Sequence, residues 1–312
     1  MSDKWIKVFA PASVANLGPG FDVLGLALEN PGDIVEVCLS DNIGVEIVEI
    51  SGDNKKLSLS PLENTASGAA IKVLTKLKAK QGIRMRIHKK MAIGTGIGSS
   101  AASSAASVWA TNLAFGSPFT KYELLDAALE GERIADGAWH GDNVFPSLLG
   151  GMILIKEYNP LEIMCLPIPE NLIIVIALPD IEVQTKYARS VLPSKVFLKD
   201  AIHNWGNLAT MITAIYSDDL ELFGRAIDDA IIEPARAHLI PGFYDIKKAA
   251  ITAGAYGCSI SGAGPAVFAI TDSKKKGEFI GQAMKEAFLR NEFTSSVIVS
   301  GVNKTGAQEL PE

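Results

Sequence analysis

The sequence has 312 residues, of which 48% are hydrophobic and 21% charged, with a formal net charge of −6 and a pI near 5.4. A chain of this length and composition buries a sizeable core in one large or two medium-sized domains. Its acidic balance argues against a nucleic-acid or membrane-surface partner, because the one basic concentration, at residues 72–90, is spread over a helix and a strand. We therefore expect a small-molecule ligand.

Neither a secretory signal nor a membrane-spanning segment is visible in the sequence. Residues 1–7 carry charge with no apolar stretch behind them, and no apolar run reaches the length needed to span a bilayer. The cysteines Cys38, Cys165 and Cys258 are isolated in apolar stretches and share no metal-ligand spacing, which predicts reduced, buried thiols. Together these features predict a cytoplasmic protein.

The first quarter of the chain predicts an antiparallel sheet followed by a helix. Residues 5–10 form the first predicted strand and lead into residues 11–22, whose glycines and prolines favour an irregular loop. Residues 33–39 and 44–50 alternate apolar and polar side chains, as strands with one buried face do. Asn64 then provides an N-cap for the predicted helix.

Residues 93–102 form a glycine- and serine-rich loop between a predicted strand at residues 84–88 and an alanine-rich helix. Glycines allow tight turns close to a ligand, and the free N–H groups of the following helix favour an anion, so the loop predicts a phosphate site. A flexible linker would lack such ordered flanks. No lysine follows the last glycine, and Ser99 occupies the third glycine position of a dinucleotide fingerprint, so both common phosphate-loop patterns are excluded.

The segment after this helix contains one further helix and a polar stretch. Residues 120–123 form a capping box that begins a helix extending to about residue 134. Residues 139–143 are predicted to be a polar turn. Gly150 and Gly151 then precede a strand at residues 152–156.

Residues 158–170 contain three prolines and mark the predicted domain boundary. The predicted domains are residues 1–165 and 166–312. The second begins with a buried strand at residues 172–178. A polar segment containing Thr185 and Arg189 follows. The predicted helices are residues 197–216, 220–229, 244–253 and 275–289. The remaining predicted strands are a hairpin at residues 258–260 and 266–270 and a last strand at residues 295–302. Both halves are therefore α+β, with helices packed on one face of mostly antiparallel sheets.

Three segments, residues 11–22, 94–102 and 261–265, resemble in order and content the three signature motifs of the GHMP kinases. The loop differs from the usual loop of that family only by Ile97, where leucine is common. The resemblance covers nearly the whole chain. It implies a two-domain GHMP kinase fold of the α+β class, with a left-handed βαβ crossover in the N-terminal domain and a ferredoxin-like C-terminal domain. That handedness runs against the general rule for such crossovers.

Within this family the chain most resembles the homoserine kinases. The residues that carry this resemblance are Asn16 and Asp22 in the first motif, His140 to Asn143 ahead of Gly150, Thr185 with Arg189, and Pro234 to Arg236. The resemblance implies transfer of the γ-phosphoryl group of ATP to the hydroxyl of L-homoserine, giving O-phospho-L-homoserine for threonine biosynthesis, by a Mg²⁺-dependent homodimer. Two alternatives stay open: another small-molecule GHMP kinase of the mevalonate type, and a non-catalytic sensor of ATP and a metabolite.

The resemblance implies an ATP site built on the glycine- and serine-rich loop. Glu132 would supply a carboxylate to Mg²⁺, and Ser100, or else Ser99, a hydroxyl, since Mg²⁺ prefers one or two protein oxygens together with phosphates and waters. Glu130 lies two residues from Glu132 and therefore on another face of the helix. Asn64 resembles an adenine contact of the family, although a helix cap explains it equally well. The implied ATP-binding residues are Asn64, Ile93, Gly94, Thr95, Gly96, Ile97, Gly98, Ser99, Ser100, Ala101 and Ala102.

The implied acceptor, homoserine, carries an ammonium, a carboxylate and a hydroxyl. Arg189 and Arg236 suit the carboxylate, because a guanidinium makes paired hydrogen bonds to it. Asp22 suits the ammonium or positions the hydroxyl. The implied substrate-binding residues are Asn16, Asp22, His140, Asn143, Thr185, Arg189, Arg236 and Gly262, and the implied catalytic residues are Asn143, Asp22 and Arg189.

Asn143, counted back from Gly150, falls where the mevalonate kinases have a catalytic aspartate. An amide cannot accept a proton as a base, so we expect Asn143 to orient the hydroxyl while the proton leaves with the phosphate or through water. The loose transition state of phosphoryl transfer depends chiefly on positioning and charge neutralisation, which makes a strong base dispensable. Asp142, one residue away, is the rival base.

Overall fold

The structure is a computed structural model, and it describes residues 4–137 and 139–311. The strands of this part of the chain are β1 (Ile6–Ala15), β2 (Leu24–Ser40), β3 (Val45–Ser51), β4 (Gly82–His88), β5 (Met152–Tyr158), β6 (Leu161–Leu166), β7 (Ile173–Pro179), β8 (Gly257–Ile260), β9 (Val267–Thr271), β10 (Ser295–Ser300) and β11 (Gln308–Glu309). Its α-helices are α1 (Thr65–Leu77), α2 (Ser99–Ala114), α3 (Leu125–Asp136), α4 (Gly141–Leu149), α5 (Thr185–Ser190), α6 (Leu198–Ser217), α7 (Leu220–Arg225), α8 (Ile232–Arg236), α9 (Phe243–Thr252) and α10 (Lys274–Arg290).

The first sheet has the strand order β11-β1-β2-β4-β3, and β5 and β6 extend it from β2. β3 and β4 run parallel and are joined through α1, so they form a βαβ unit, whereas the other pairings described in this sheet are antiparallel. The unit agrees with the implied crossover, and its left-handedness stays a prediction. β11 returns from the far end of the chain to pair with β1, where Val8 lies opposite Glu309.

The second sheet is antiparallel, with the strand order β10-β7-β9-β8. Helices separate β7 from β8 and β9 from β10, while β8 and β9 form a hairpin, so the chain order is βαββαβ. This is the arrangement of ferredoxin-like domains, which confirms the fold expected for the second half. The domain boundary at residues 165 and 166 stays a prediction, and β11 joins the first sheet although it lies in the second predicted domain.

Residues 11–22 were expected to be an irregular loop, but β1 continues as far as Ala15. The register between β1 and β2 shifts between Pro11 and Ser13. A β-bulge of this kind tolerates a proline, which cannot donate to the ladder, and the prediction missed the strand because it gave proline too much weight. The irregular part begins at Asn16, whose backbone has a φ of 72°.

Residues 139–143 were expected to form a polar turn, but α4 begins at Gly141 and so includes Asp142 and Asn143 in its first turn. The buried side chains Val144, Phe145 and Leu148 lie within this helix, and their packing in the core favours the helical conformation. Gly141 and Pro146 hide this pattern in the sequence, because both usually interrupt helices. The helix matters for the site because it sets the direction of the Asn143 side chain.

α2, the alanine-rich helix, is buried on nearly all sides between the first sheet and the helices α1, α3 and α4. Its small side chains, such as Ala101 and Ala105, allow neighbouring elements to approach closely, which fixes the N-terminal end of the helix. A continuous apolar cluster extends from this helix to residues of both sheets, including Ile174 and Phe268. The phosphate loop therefore precedes one of the most enclosed helices of the molecule.

The cysteine prediction holds in part. Cys38 and Cys258 are buried, but Cys165 is exposed on β6, where its Sγ lies 3.1 Å from the hydroxyl of Tyr122. β6 pairs only with β5 among the described strands, so its other edge has no strand beside it.

None of the helices in the described residues is both long and apolar enough to cross a membrane.

Candidate active site

The three motif segments meet at the glycine- and serine-rich loop. The backbone N–H of Ser13 donates to the carbonyl oxygen of Ile97 at 3.1 Å. From the other side, the hydroxyl of Ser261 donates to the carbonyl oxygen of Gly96 at 2.8 Å. Segments that are far apart in sequence thus hold the loop from both sides, and the site is built from all three of them.

A cavity of about 740 Å³ opens beside this loop. Most of the predicted site residues line it: Asn16, Asp22, Asn64, Ile93, Gly94, Thr95, Gly96, Gly98, Ser99, Ser100, Glu132, His140, Asn143, Thr185, Arg189, Arg236 and Gly262. Ile97, Ala101 and Ala102 do not line the cavity, because their side chains are buried in the core. These three residues can meet a nucleotide only through their backbone groups.

The loop requires glycine at two positions. Gly96 and Gly98 have φ angles of 81° and 70°, in the left-handed region that L-residues avoid. A Cβ at Gly96 would lie 2.6 Å from the carbonyl oxygen of Gly264, and one at Gly98 would lie 2.2 Å from the Ser13 hydroxyl. Gly98 is also the N-cap of α2 and brings no side chain to its N–H groups, so those donors are left for an anion.

A buried ion pair that the sequence did not indicate lies under the loop. The Lys89 ammonium contacts Asp33 and donates to the carbonyl oxygen of Ser99 and the hydroxyl of Ser103, each at 2.8 Å. The Ser99 hydroxyl in turn donates to Asp33 at 3.2 Å. This cluster fixes the first turn of α2. Sequence reasoning missed Lys89 because it belongs to the basic stretch at residues 72–90, whose members are mostly on the surface.

Asn64 is a helix cap. Its Oδ1 accepts from the backbone N–H of Ala66 at 3.0 Å, and its Nδ2 donates to the carbonyl oxygen of Ser58 at 3.1 Å. The capping interpretation is therefore confirmed. Because Asn64 also lines the cavity, its adenine contact stays a prediction.

Glu132 provides a buried carboxylate oxygen for which the described residues offer no partner. The Glu132 side chain is almost fully buried, its Oε1 accepts no hydrogen bond from the described residues, and its Oε2 lies 3.5 Å from Nδ1 of His140. Glu130 instead pairs with Arg133 at 2.7 Å on another face of α3. A buried carboxylate oxygen of this kind suits a cation, because an unpaired buried charge is costly. The residues present therefore fit Mg²⁺.

Two guanidinium groups flank one aromatic ring at the other end of the cavity. Arg189 donates from Nη2 to both carboxylate oxygens of Asp22, each at 2.9 Å. The guanidinium carbons of Arg189 and Arg236 lie 5.6 and 5.2 Å from the centre of the Phe21 ring. Among the described residues, Nε of Arg189 is buried without a hydrogen-bond partner. A carboxylate ligand would satisfy that donor.

Arg236 is held in place by backbone groups and by the cap of its own helix. Its Nη1 donates to the carbonyl oxygen of Gly262 at 2.8 Å. Asp229 accepts N–H bonds from the first residues of α8 and so caps that helix, whereas the helix predicted at residues 220–229 ends at Arg225. Burial is the main reason that the pKa of Arg236 falls to about 10; the charge of Asp22 acts in the opposite direction, and that of Arg189 acts with burial. Arg236 therefore remains protonated at neutral pH.

Asn16 organises the first motif. Its Nδ2 donates to the carbonyl oxygen of Gly262 at 2.9 Å, and its Oδ1 accepts from the backbone N–H of Asp22 at 3.1 Å. The first of these bonds ties the first motif to the third, and the second holds the turn within the first motif. Thr185 lines the cavity from the first residue of α5, one turn before Arg189.

Asn143 lies beside the phosphate loop. Its Oδ1 accepts from the Ser13 hydroxyl at 3.0 Å and would lie 2.9 Å from a Cβ placed on Gly98. Because Ser13 occupies Oδ1, the amide nitrogen is the group left to meet a ligand. Sequence reasoning missed Ser13, although it belongs to the first motif.

Asp142 is a buried carboxylate next to Asn143. Burial is the main reason that its pKa rises to about 7, and the negative charge of Asp22 contributes to the rise, while His140 and Arg189 act in the opposite direction.

The hydroxyl of Tyr158 accepts from the backbone N–H of Gly141 at 3.2 Å and so holds the start of α4. Burial also raises the pKa of Tyr158.

Comparisons with known proteins agree with this geometry. Family models described as "GHMP kinases N terminal domain" and "GHMP kinases C terminal" match residues 64–151 and 211–290. The homoserine kinase of Chlorobium phaeobacteroides (strain BS1) is 43% identical, over 98% of this chain and 100% of that protein. The homoserine kinase of Arabidopsis thaliana is 42% identical, over 97% of this chain and 84% of that protein. The chain belongs to the GHMP kinase family.

Solved structures of other family members agree with the membership. The crystal structure of homoserine kinase from Cytophaga hutchinsonii superposes with a TM-score of 0.96 at 47% identity, covering 99% of this chain and 98% of that one. A mevalonate kinase from L. major, in complex with R-mevalonate, has a TM-score of 0.72 at 16% identity and shows only that the fold is shared. As a GHMP kinase, the chain uses ATP as its co-substrate.

Replacing Gly98 tests the fit of the loop. We expect Gly98→Ala to raise the KM for ATP at least about tenfold, because the new Cβ would push against Ser13 and tilt the first turn of α2. Gly116→Ala is the matched control, since Gly116 has a φ of 82° and no atom lies within 4 Å of a Cβ placed on it. In both variants alanine has to adopt a left-handed backbone conformation, which costs about 1–2 kcal/mol of stability. Steady-state ATP titrations measure the effect, and an equal loss in both variants would contradict it.

Asp142 makes the stability of this kinase depend on pH. Because folding raises its pKa from 3.8 to about 7, the native state keeps a proton that the unfolded chain has lost between those pH values. The contribution of Asp142 to the free energy of unfolding therefore falls as pH rises from about 4 to about 7. The asparagine of Asp142→Asn cannot ionise. We therefore expect the free energy of unfolding of this variant to rise, relative to that of wild type, by up to a few kcal/mol over that pH range. Thermal melts of both proteins at about pH 5 and about pH 8 measure this. A gain that shrinks with rising pH would refute it.

Proposed function

We propose that this kinase transfers the γ-phosphoryl group of ATP to the hydroxyl of L-homoserine and releases O-phospho-L-homoserine. The observation that carries the proposal is the pair of guanidinium groups, Arg189 and Arg236, that share the ring of Phe21 next to Asp22. The names of the relatives, homoserine kinases at 42 to 44% identity over nearly the whole chain, support the same substrate. The product would enter threonine biosynthesis in the cytoplasm.

The charges at this end of the cavity suit a zwitterion. Without a ligand, Asp22 and Arg189 satisfy each other at 2.9 Å. An amino acid replaces that single pair with two, because its ammonium pairs with Asp22 while its carboxylate accepts from Arg189 and Arg236. A neutral sugar offers neither group. Mevalonate lacks the ammonium and would leave Asp22 unpaired, which disfavours the mevalonate-type alternative.

Asn143 is proposed to hold the acceptor hydroxyl. Its amide nitrogen donates to the hydroxyl oxygen and leaves the hydroxyl proton directed at the phosphate, since Ser13 already occupies Oδ1. The amide lies beside Gly98, so the hydroxyl it binds lies next to the loop that receives the phosphates. In this arrangement no side chain removes the proton before the phosphoryl group moves, and the proton leaves with the phosphate or through water.

The phosphates are proposed to bind the backbone N–H groups at the start of α2, where the helix dipole favours negative charge. Ser100 and Glu132 would hold Mg²⁺, because Ser100 lines the cavity and Oε1 of Glu132 has no partner among the described residues, whereas the Ser99 hydroxyl is already bound to Asp33. A bound Mg²⁺ would supply charge neutralisation to the transferring group. Glu132 and Ser100 also oppose the non-catalytic sensor alternative, since both line the cavity.

An acceptor comparison tests the proposed function. We expect ADP release, followed in a coupled assay, with L-homoserine and not with mevalonate or galactose. ATP turnover with mevalonate or galactose and none with L-homoserine would refute the substrate. Nucleotide binding without ADP release for any of the three acceptors would instead support the sensor alternative.

The role of Asn143 is tested against Asp142 through the pH dependence of turnover. We expect Asn143→Ala to lower kcat roughly 100-fold at every pH, because the hydroxyl is no longer oriented. Asp142→Asn should lower kcat far less and keep the wild-type pH profile, because no proton passes to that carboxylate. Measurements of kcat for both variants and wild type between about pH 5 and about pH 9 decide this. A collapse of turnover only in Asp142→Asn would overturn the base-free mechanism.

A further inference from the structure

An exposed ion pair joins the two halves of the fold at the edge of the cavity. The ammonium of Lys56 donates to Oε2 of Glu182 at 2.7 Å. Lys56 belongs to the loop between β3 and α1, whereas Glu182 belongs to the segment between β7 and α5. Glu182 lines the cavity, and so does Leu57, which follows Lys56 in the chain. A charge from each half of the chain therefore lies where a ligand enters.

Glu182 is in contact with the phosphate loop. A Cβ placed on Gly94 would lie 2.6 Å from Cγ and 3.3 Å from Oε1 of Glu182. The next residue, Val183, is buried, and its backbone N–H donates to the carbonyl oxygen of Gly94 at 3.4 Å. This bond holds the backbone beside Glu182 against the loop. A carboxylate is thereby kept next to the loop that is proposed to receive the phosphates of ATP.

A tight turn holds the backbone of Lys56 on the other side of the loop. The carboxylate of Asp53 accepts from the backbone N–H of Leu57 at 3.1 Å, and its carbonyl oxygen accepts from that of Lys56 at 3.1 Å. A Cβ on Gly52 would overlap the carbonyl oxygen of Lys89, so the turn packs directly on the backbone that leads into the phosphate loop. The backbone of Lys56 is therefore fixed, while its side chain is 53% exposed and can change partner.

The charge of Glu182 is unfavourable for a ligand that carries several phosphates. Exposed like charges repel each other over distances up to about 10 Å at ordinary ionic strength. With the cavity empty, Lys56 neutralises this carboxylate. An ion pair with both side chains exposed is weak, so the lysine can leave it at little cost. A triphosphate offers Lys56 more negative charge than the single carboxylate does, and charge-assisted hydrogen bonds to phosphate oxygens are strong.

Two other lysines line the cavity, and neither takes this place. Lys89 is buried and bound to Asp33 under the loop. Lys186 follows Thr185 at the start of α5, at the acceptor end of the cavity. Lys56 is therefore the lysine that reaches the phosphate loop from the side of the β3–α1 loop.

We propose that Lys56 is a phosphate-binding residue that Glu182 holds in reserve. When ATP enters, the ammonium of Lys56 leaves Glu182 and binds the phosphates. Lys56 thus raises the affinity for ATP, whereas Glu182 lowers it, because its carboxylate competes for the lysine and repels the phosphates. The two partners of one ion pair then have opposite effects on the affinity. The proposal rests on the ATP site and not on the identity of the acceptor.

Nucleotide titrations without an acceptor test the proposal. The probe is the ATP analogue with an imido bridge between its β- and γ-phosphates, in the presence of Mg²⁺, followed by calorimetry. We expect Lys56→Ala to raise the dissociation constant about 3–10-fold and Glu182→Gln to lower it by a similar factor. Lys56→Arg keeps the charge and should stay within about twofold of wild type. Adenosine carries no phosphate, so its dissociation constant should be the same in wild type and in all three variants.

The ion pair between Lys156 and Glu162 provides the matched control. It also measures 2.7 Å and has side chains that are 61% and 52% exposed, but neither residue lines the cavity. Lys156→Ala and Glu162→Gln should therefore leave the dissociation constant of the analogue unchanged.

Weaker binding of the analogue in both Lys56→Ala and Glu182→Gln would show that the pair only holds the loops together, and it would refute the proposal. An unchanged affinity in both variants would refute it as well. So would a loss of adenosine binding in Lys56→Ala as large as the loss for the analogue, because the effect would then not involve phosphates. None of these titrations contains an acceptor, so a failure of L-homoserine as the substrate would leave their outcome unaffected.

Discussion

The close approach of backbone at Gly96 and Gly98 is the contact on which the site depends. A side chain at either position would separate the loop from Ser13 on one side or from the 261–265 segment on the other. Segments from the beginning, middle and end of the chain share this small volume, so the cavity can form only when both sheets are in place. Binding of phosphate by the loop is therefore inseparable from the folding of the whole chain.

Two of the cations around the cavity are already paired with carboxylates of the protein. Lys89 pairs with Asp33 under the loop, and Arg189 pairs with Asp22 at the acceptor end. The first pair is buried and serves to hold α2 in position, whereas the second is partly exposed and can exchange its partners for those of a ligand. This difference in burial separates a structural ion pair from one that takes part in recognition. Net charge alone would not distinguish the two.

Sequence reasoning succeeds where the chemistry is local. The phosphate loop, the cap at Asn64 and most strands follow from residue type and spacing, because glycine and asparagine have specific backbone requirements. It fails at α4, where Pro146 conceals a helix that tertiary packing stabilises. It also cannot find the bond from Ser13 to Asn143, which joins residues 130 positions apart. Sequence patterns carry no information on such distances, and the orientation of the amide that depends on this bond becomes visible only in the structure.

β11 has a mechanical consequence for the cavity. The chain leaves the first sheet after β6, builds the second sheet, and then returns to pair with β1. Two stretches of backbone therefore cross between the sheets instead of one, and the contact between Leu28 and Val302 lies close to the second crossing. Two connections restrict the relative movement of the two sheets more than a single connection would. We therefore expect the alignment of the two sheets to change little when a nucleotide enters the cavity.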